Sequence, residues 1–283
     1  MPQAKPFIKW VGGKRGIMEK LLDRFPTKFN AYCEPFLGGG SVFFELYNRG
    51  LLDNTTVCLS DINRGLIDTY VSVRRKLEKL TELLKFYEEK HSEDFYYEIR
   101  GLDRLENFED SLEVEVAARF IYLNKAGFNG LHRVNSSGHF NVPWGKRKTV
   151  NLIDSKLRDA SEALKKVDYL YDTNYQENIT QFIENNENGF VYLDPPYDPI
   201  SESASFTSYS KYGFTRKDQA QLKKNIDVLT DRGFMVVQSN SDTPFIRELY
   251  KDYSIEVIHA PRKINNASVN ELIISNCNKV DFF

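Results

Sequence analysis

The chain has 283 residues, is 41% hydrophobic and 28% charged, and carries a formal net charge of −2. That length can bury a sizeable core as one large domain or two modest ones, and the balance is that of an ordinary soluble enzyme. No apolar run approaches a membrane span and the opening MPQAKPFIKW lacks the long apolar segment of a signal peptide, so membrane or secreted classes are not expected and a cytoplasmic protein is. Cys33, Cys58 and Cys277 are scattered inside apolar runs and read as buried thiols of a reducing compartment. His91, His132, His139 and His259 have no metal-ligand spacing.

In chain order, the pattern predicts a helix over 14–25, a strand over 31–35 (AYCEP), a helix over 41–48 and a strand over 56–60 (TVCLS). Residues 63–125 are long, charged and helix-periodic, as in LIDTYVSVRRKLEKLTELLKFY and EVEVAARFIYLNK, with no clear strand. With the basic stretch that follows, they read as a helical insertion of roughly a hundred residues between the second and third strands. Strands return at 168–172 (DYLYD) and 190–193 (FVYL), then a helix over 216–232, a strand over 234–239, a helix over 243–252, a weaker strand over 255–259 and a last strand over 271–276 (ELIISN). Strands alternating with helices argue for an α/β sheet, mostly parallel.

The charge is unevenly spread. Residues 125–148, KAGFNGLHRVNSSGHFNVPWGKRK, hold Lys125, Arg133, Lys146, Arg147 and Lys148 and no acid, so the window is +5 and the remainder of the chain −7. A basic patch on an acidic body is a footprint for a polyanion. A solvated charged loop would show the same charge. The interleaved Phe128, Phe140 and Trp144, with asparagines and glycines, favour a nucleic acid, because such residues stack on bases or hydrogen-bond them.

Two strand ends carry the chemistry. In EPFLGGGSVFFEL (34–46) a strand ends at Glu34-Pro35 and a glycine turn precedes an apolar helix; Gly38, Gly39 and Gly40 permit a sharp bend and close approach to a ligand. A tight strand–helix turn alone would read the same. Asp61 in CLSDIN adds an acid after the next strand, where it suits a ribose, so together the two favour an adenosine-bearing cofactor. The run is not G-x-G-x-x-G, and WVGGKRG (10–16) is no P-loop because Arg15 follows Gly-Lys. In FVYLDPPYDP (190–199), Pro195 and Pro196 cannot continue a strand, leaving Asp194 at its tip and Tyr197 just past a stiff corner.

FIKWVGGKR (7–15), EPFLGGGSVFF (34–44), SDIN (60–63), NGLHRVNSSGHFNVPWG (129–145) and DPPYDPISESASFTSYSKYGFT (194–215) together resemble the Dam and DpnM-type DNA adenine-N6 methyltransferases, the DPPY family of class alpha. The motifs stand in the family's order and span nearly the whole chain. The resemblance implies a Rossmann-like class I S-adenosylmethionine-dependent methyltransferase sheet. Residues 1–62 and 163–283 would form the catalytic domain and 63–162 an inserted, mainly helical DNA target-recognition domain. It implies methyl transfer from S-adenosylmethionine, leaving S-adenosylhomocysteine, to the N6 amine of a flipped-out adenine, with no metal required and GATC as the favoured site. Asp194, Pro195, Pro196 and Tyr197 would act on the base. Trp10, Lys14, Glu34, Phe36, Gly38, Gly40, Asp61, Asn174, Tyr175 and Asp194 would hold the cofactor. Lys9, Phe128, Asn129, Leu131, Arg133, Pro143, Lys146, Arg147, Lys148 and Ser201 would meet DNA, with Arg133 reading a guanine, Leu131 and Pro143 touching thymine methyls, and Phe128 wedging beside the extruded base. Asn174 departs from relatives that carry aspartate or serine, and the segment after Arg262-Lys263 is only INNASVN, where a longer basic loop is expected. The expected partner is double-stranded DNA, met by a protein monomeric in solution and able to load more than one copy.

Two other classes compete. A methyltransferase acting on RNA or on a protein amide would share the pocket chemistry, but amide-directed relatives carry Asn at the position of Asp194 and lack the NGLHR…NVP set. A cofactor-binding module without catalysis is disfavoured by the intact Asp194-Pro195-Pro196-Tyr197. Whether the enzyme acts alone or beside a restriction nuclease stays open.

Overall fold

The computed structural model describes residues 3–108, 111–200, 213–261 and 268–276. Its centre is a seven-stranded sheet: β1 (Ala31–Glu34), β2 (Thr56–Ser60), β3 (Tyr169–Tyr171), β4 (Phe190–Leu193), β5 (Met235–Ser241), β6 (Ser254–Pro261) and β7 (Ser268–Ser275). The spatial order is β3-β2-β1-β4-β5-β7-β6. The first five strands are parallel, β7 runs antiparallel to β5, and β6 pairs antiparallel with β7. This Rossmann-like order fits the class I methyltransferase sheet that the resemblance implies.

The central strands are apolar throughout because both faces are covered. Tyr32, Val57, Leu59, Phe190 and Tyr192 enter one core, while Ala31, Cys33, Cys58, Val191 and Leu193 enter the other. The alternation is the period of two that a strand imposes. The second core is closed by α8 (Tyr175–Asn185), α9 (Arg216–Asp231) and α10 (Pro244–Leu249). The first is closed by α1 (Met18–Leu22), α2 (Ser41–Asn48) and the helices between β2 and β3: α3 (Arg64–Arg75), α4 (Leu77–Lys90), α5 (Glu93–Gly101), α6 (Glu113–Ala126) and α7 (Ser155–Leu164). The helical stretch between the second and third strands therefore packs on the sheet through a common core.

Every segment read as a strand is one, with ends shifted by a few residues, and the helix expected over 14–25 is a 3₁₀ turn at Lys14–Gly16 followed by the short α1. Helix α8 is an addition. Its signal was the cap: the Asn174 side chain accepts from the Glu177 N–H at 3.0 Å. Cys33 and Cys58 are buried free thiols, as expected; Cys277 lies outside the described residues. Among the described residues no helix is long and apolar enough to cross a membrane.

Candidate active site

The sheet order reverses between β1 and β4, and a crevice at the carboxyl ends of such strands is where open α/β sheets bind ligands. Glu34 ends β1 and Asp194 follows β4, so two acids flank that crevice. Lys14 reaches in from the 3₁₀ turn: its Nζ lies 2.6 Å from Asp194 Oδ2, donates to the Gly12 carbonyl at 2.7 Å, and stands 5.0 Å from the centre of the Tyr197 ring. Lys14 is 4% exposed. The other carboxyl oxygen, Asp194 Oδ1, is buried and has no hydrogen-bond partner among the described residues. Burial raises the pKa of Asp194, and the Lys14 ammonium pulls against that rise.

Glu34 is buried, and its carboxyl is pushed up to about 8, chiefly by desolvation and further by the Asp194 charge; an opposing hydrogen bond comes from the Tyr32 hydroxyl at 2.8 Å. The glycine turn follows. Gly38 has φ +48° and Gly40 φ +66°, a region that suits glycine. A Cβ on Gly38 would lie 2.7 Å from the Trp10 indole, and one on Gly40 would lie 2.8 Å from the Tyr70 hydroxyl. Asp61, just past β2, fastens the turn: its Oδ2 accepts the Gly38 N–H at 2.9 Å and its Oδ1 the Asn63 N–H at 3.0 Å. Tyr70 donates to the Gly38 carbonyl at 3.1 Å. Phe36 stacks on Tyr175 with ring centres 5.2 Å apart, and Phe214 closes on both at 6.0 Å. Trp10, Lys14, Glu34, Phe36, Gly38, Gly40, Asp61, Tyr175 and Asp194 thus gather along the carboxyl ends of the parallel strands. Asn174 stands there too, its side-chain oxygen occupied in capping α8.

Acidic groups, one buried ammonium and an aromatic wall suit a zwitterionic nucleoside, since the ammonium can meet a carboxylate and the acids can meet an amine, a sulfonium or ribose hydroxyls. The residues therefore fit S-adenosylmethionine. The buried Ser60 Oγ and Asp194 Oδ1, both unpartnered among the described residues, leave further polar capacity in this region.

Past the corner lies a polar network that sequence reading missed. The Tyr197 hydroxyl donates to Glu271 Oε2 at 3.1 Å. Asp198 is 2% exposed and is bound by Arg216 at 2.9 and 3.2 Å and by the Thr243 hydroxyl at 2.8 Å. Gln219 donates to the Pro196 carbonyl at 2.8 Å. These partners are scattered through the last third of the chain; the second aspartate of DPPYDP was the one local hint.

The basic segment forms a hairpin-like loop between bridges Gly127↔Trp144 and Val134↔Phe140. Helix α5 and the 3₁₀ turn after it (Leu102–Arg104) hold it from behind: the Tyr96 hydroxyl donates to the Val142 carbonyl at 3.0 Å, Arg104 to the Phe140 carbonyl at 3.0 Å, and Asp103 accepts the Phe140 N–H at 2.7 Å. On its outer side Phe128 is 50% exposed and Leu131 36%. Asn129 has φ +54°. Arg133 is exposed, and Asn141 accepts its Nε at 2.7 Å, which orients the guanidinium. Pro143, Lys146, Arg147 and Lys148 are exposed as well. Lys9 lies beside this loop, its backbone N–H and C=O both paired with the Asn124 side chain at 2.8 Å. Ser201 and most of the loop 198–215 lie outside the described residues. Among the described residues no group of three or more His, Cys, Asp or Glu side chains could hold a metal ion.

Residues 10–264 match the family model of the D12 class N6 adenine-specific DNA methyltransferases. The chain is 37% identical over 278 residues to the type II methyltransferase M1.LlaDCHI of Lactococcus lactis subsp. cremoris, covering 96% of this chain and 95% of that one. It is 37% identical to the type II methyltransferase M.MjaIII of Methanocaldococcus jannaschii, covering 97% and 99%. It is 32% identical to the DNA adenine methylase of Escherichia coli K12, covering 94% and 91%.

Proposed function

The chain belongs to the D12 class N6 adenine-specific DNA methyltransferases, and from that premise we propose that it transfers a methyl group from S-adenosylmethionine to the N6 amine of an adenine turned out of duplex DNA, within GATC. The observation that carries the reading is Asp194, one of whose buried oxygens has no partner among the described residues while the other is held by Lys14. A buried acceptor left unsatisfied costs free energy. A donor that arrives with the substrate repays that cost at the moment of reaction.

The exocyclic amine of adenine is a poor nucleophile because its lone pair is delocalised into the ring. Asp194 Oδ1 and the Pro195 carbonyl both accept its N–H groups, which draws the nitrogen toward a tetrahedral shape and frees the lone pair. The two prolines fix these acceptors beforehand, so little reorganisation is required. Tyr197 offers a face for the extruded base. S-adenosylmethionine supplies an activated, electrophilic methyl group when bound. Lys14 already engages Asp194 and Gly12, and the third hydrogen of its ammonium serves the methionine carboxylate. Asp61 accepts from the ribose with lone pairs that Gly38 and Asn63 leave free, Glu34 and the glycine turn wrap the methionine part, and Phe36, Tyr175 and Asn174 border the adenine.

Residues 63–162 act as the target-recognition region of a catalytic domain formed by 1–62 and 163–283. Arg133, aligned by Asn141, pairs with a guanine edge, for which its planar fork is suited. Lys9 meets the first guanine, Leu131 and Pro143 touch thymine methyls, and the exposed Phe128 wedges into the stack beside the extruded base, with Asn129 at the backbone. Lys146, Arg147, Lys148 and Ser201 contact phosphates. The names of the relatives, a DNA adenine methylase and two type II methyltransferases, suit action on DNA; the reading takes that action to be cytoplasmic, by a monomer that loads in one or more copies.

The test is incubation with labelled S-adenosylmethionine and duplexes carrying GATC or each single-base change, beside RNA duplexes and protein. Digestion to nucleosides then identifies the product. Label recovered as N6-methyladenine from GATC duplexes is expected. Label in RNA or protein would overturn the substrate class, and equal rates on all altered duplexes would overturn GATC.

A further inference from the structure

The peptide groups on either side of Tyr197 are both held from the same place. On its N-terminal side, the Pro196 carbonyl accepts from Gln219 Nε2 at 2.8 Å. On its C-terminal side, the Asp198 N–H donates to Asn240 Oδ1 at 3.3 Å. The two holders are themselves joined, Asn240 Nδ2 donating to Gln219 Oε1 at 3.1 Å, and both are buried, 1% and 0% exposed. Gln219 comes from the first turns of α9 and Asn240 from the tip of β5, so the brace connects two rigid elements. Fixing the planes before and after one residue fixes its φ and ψ.

The surroundings complete the brace. Asn240 Oδ1 also accepts the Ser241 N–H at 2.9 Å, and the Ser241 hydroxyl donates to the Asp198 carbonyl at 2.6 Å. Arg216 and Thr243 hold the Asp198 carboxylate, and Glu271 holds the far end of the Tyr197 ring through its hydroxyl at 3.1 Å. Such a largely buried network of paired groups rigidifies what it touches.

We infer that Gln219 and Asn240 are positioning residues that lock the Tyr197 backbone and thereby the plane of the ring on which the acceptor base stacks. The inference rests on the methyl-transfer reading above. Neither residue touches the base or the cofactor; each acts through the corner. Misplacement of a reacting group by about 1 Å costs on the order of a hundredfold in rate, so loosening this brace slows the chemical step while leaving binding in place.

The experiment uses the full chain, the variants Gln219→Ala, Gln219→Glu, Asn240→Ala and the double alanine variant, and a GATC duplex with S-adenosylmethionine. Gln219→Ala should lower the single-turnover rate by about tenfold to a hundredfold, with cofactor and duplex dissociation constants within about twofold of the parent. The double variant should lose little more than either single one, because the pair acts as a unit. Gln219→Glu keeps the shape and the acceptor for Asn240. It loses the donor to Pro196 when ionised, and regains one when protonated. Its rate relative to the parent should therefore rise as pH falls. Amide hydrogen exchange gives a readout independent of substrate: the Asp198 amide should be protected in the parent and exposed in Asn240→Ala. An unprotected Asp198 amide in the parent, a parent-like pH profile for Gln219→Glu, or a loss confined to binding constants would each overturn the brace. A parent that methylates no DNA adenine would instead overturn the function, while the exchange measurement still decides the brace.

Discussion

Replacing Asp194 by alanine does more than remove the proposed acceptor for the target amine; it strands a charge. Lys14 Nζ lies 2.6 Å from Asp194 Oδ2, with side-chain exposures of 5% and 22%. Breaking a fully buried pair by removing one partner costs about 3–5 kcal/mol, because the other charge stays buried and unpaired. Two features reduce that figure here. Asp194 is partly exposed, and the Gly12 carbonyl still accepts from Lys14 at 2.7 Å. A loss of about 2–3 kcal/mol is expected, discounted from that range, which lowers the unfolding midpoint by roughly 5–10 °C in a chain of this size. Methyl transfer should be abolished. Adding Lys14→Met removes the stranded ammonium, so Asp194→Ala with Lys14→Met should be more stable than Asp194→Ala alone and equally inactive. Asp194→Asn, whose amide oxygen still accepts from Lys14, should fall between parent and alanine in stability. Thermal unfolding followed by circular dichroism, beside a methylation assay, reads all three. If Lys14→Met lowered the midpoint of the Asp194→Ala variant further, the ammonium would not be the source of the cost and the pairing would be wrong.

Asp61→Ala removes the acceptor of two backbone N–H groups, each worth about 1.5–3 kcal/mol with a charged partner, so it should lower the unfolding midpoint as well as weaken S-adenosylmethionine; an unchanged cofactor dissociation constant by calorimetry would remove the ribose role. Glu34, held at about 8 against an ordinary 4.5, binds its proton more tightly folded than unfolded, so its contribution to stability is full below about pH 4.5 and is lost as pH rises through about 8. Glu34→Gln should flatten that limb in denaturant midpoints measured from pH 5 to 9, and an unaltered slope would mean that the carboxyl titrates normally. Arg133→Ala should narrow the gap between GATC and singly altered duplexes by roughly 1–3 kcal/mol, whereas Lys148→Ala should weaken all duplexes alike and reduce the salt slope by about one phosphate's worth. Rates on the altered duplexes at two salt concentrations separate the two, and a uniform loss for Arg133→Ala with the site ranking kept would refute base reading.

Most strands were legible because they are short apolar runs stopped by proline or an acid, as in AYCEP, TVCLS before Asp61 and FVYLDPP. Their order was not. That β7 lies between β5 and β6 depends on pairings such as Gln238↔Ile274 and Val257↔Leu272, which no local pattern encodes. Helix α8 escaped because YQENITQFIEN carries few apolar residues, and its cap at Asn174 was read as a ligand contact. At the site, the residue types at strand tips could be named from spacing and resemblance, but their partners could not. Lys14 and Asp194 meet across 180 positions of chain, and Gln219, Asn240 and Glu271 reach the corner through the fold. The orientation of Arg133 by Asn141 needed the hairpin, whose two sides the isolated bridges bring together.

The proposed division of the chain into a catalytic part and a recognition part describes connectivity better than packing. One continuous core runs from Phe43, Phe190 and Tyr192 beside the sheet to Leu84, Tyr96 and Tyr122 in the helical stretch. The segment at Lys9 and Trp10 lies in the seam. The Trp10 indole covers the glycine turn so closely that a Cβ on Gly38 would lie 2.7 Å away, and its ring centre is 5.3 Å from that of His132 in the NGLHR loop. Lys9 packs against Gly130 of that loop, where a Cβ would meet Lys9 Cδ at 2.5 Å. His132 is held well below its ordinary pKa, at about 4, by burial and by the nearby Arg119 charge, so the ring stays neutral near pH 7 and the contact is apolar. The wall that borders the proposed cofactor is therefore the wall on which the proposed base-reading loop rests. Close-packed interiors transmit displacement instead of absorbing it. A shift of the hairpin on meeting bases would thus bear on the turn proposed to hold the methyl donor, through one indole ring.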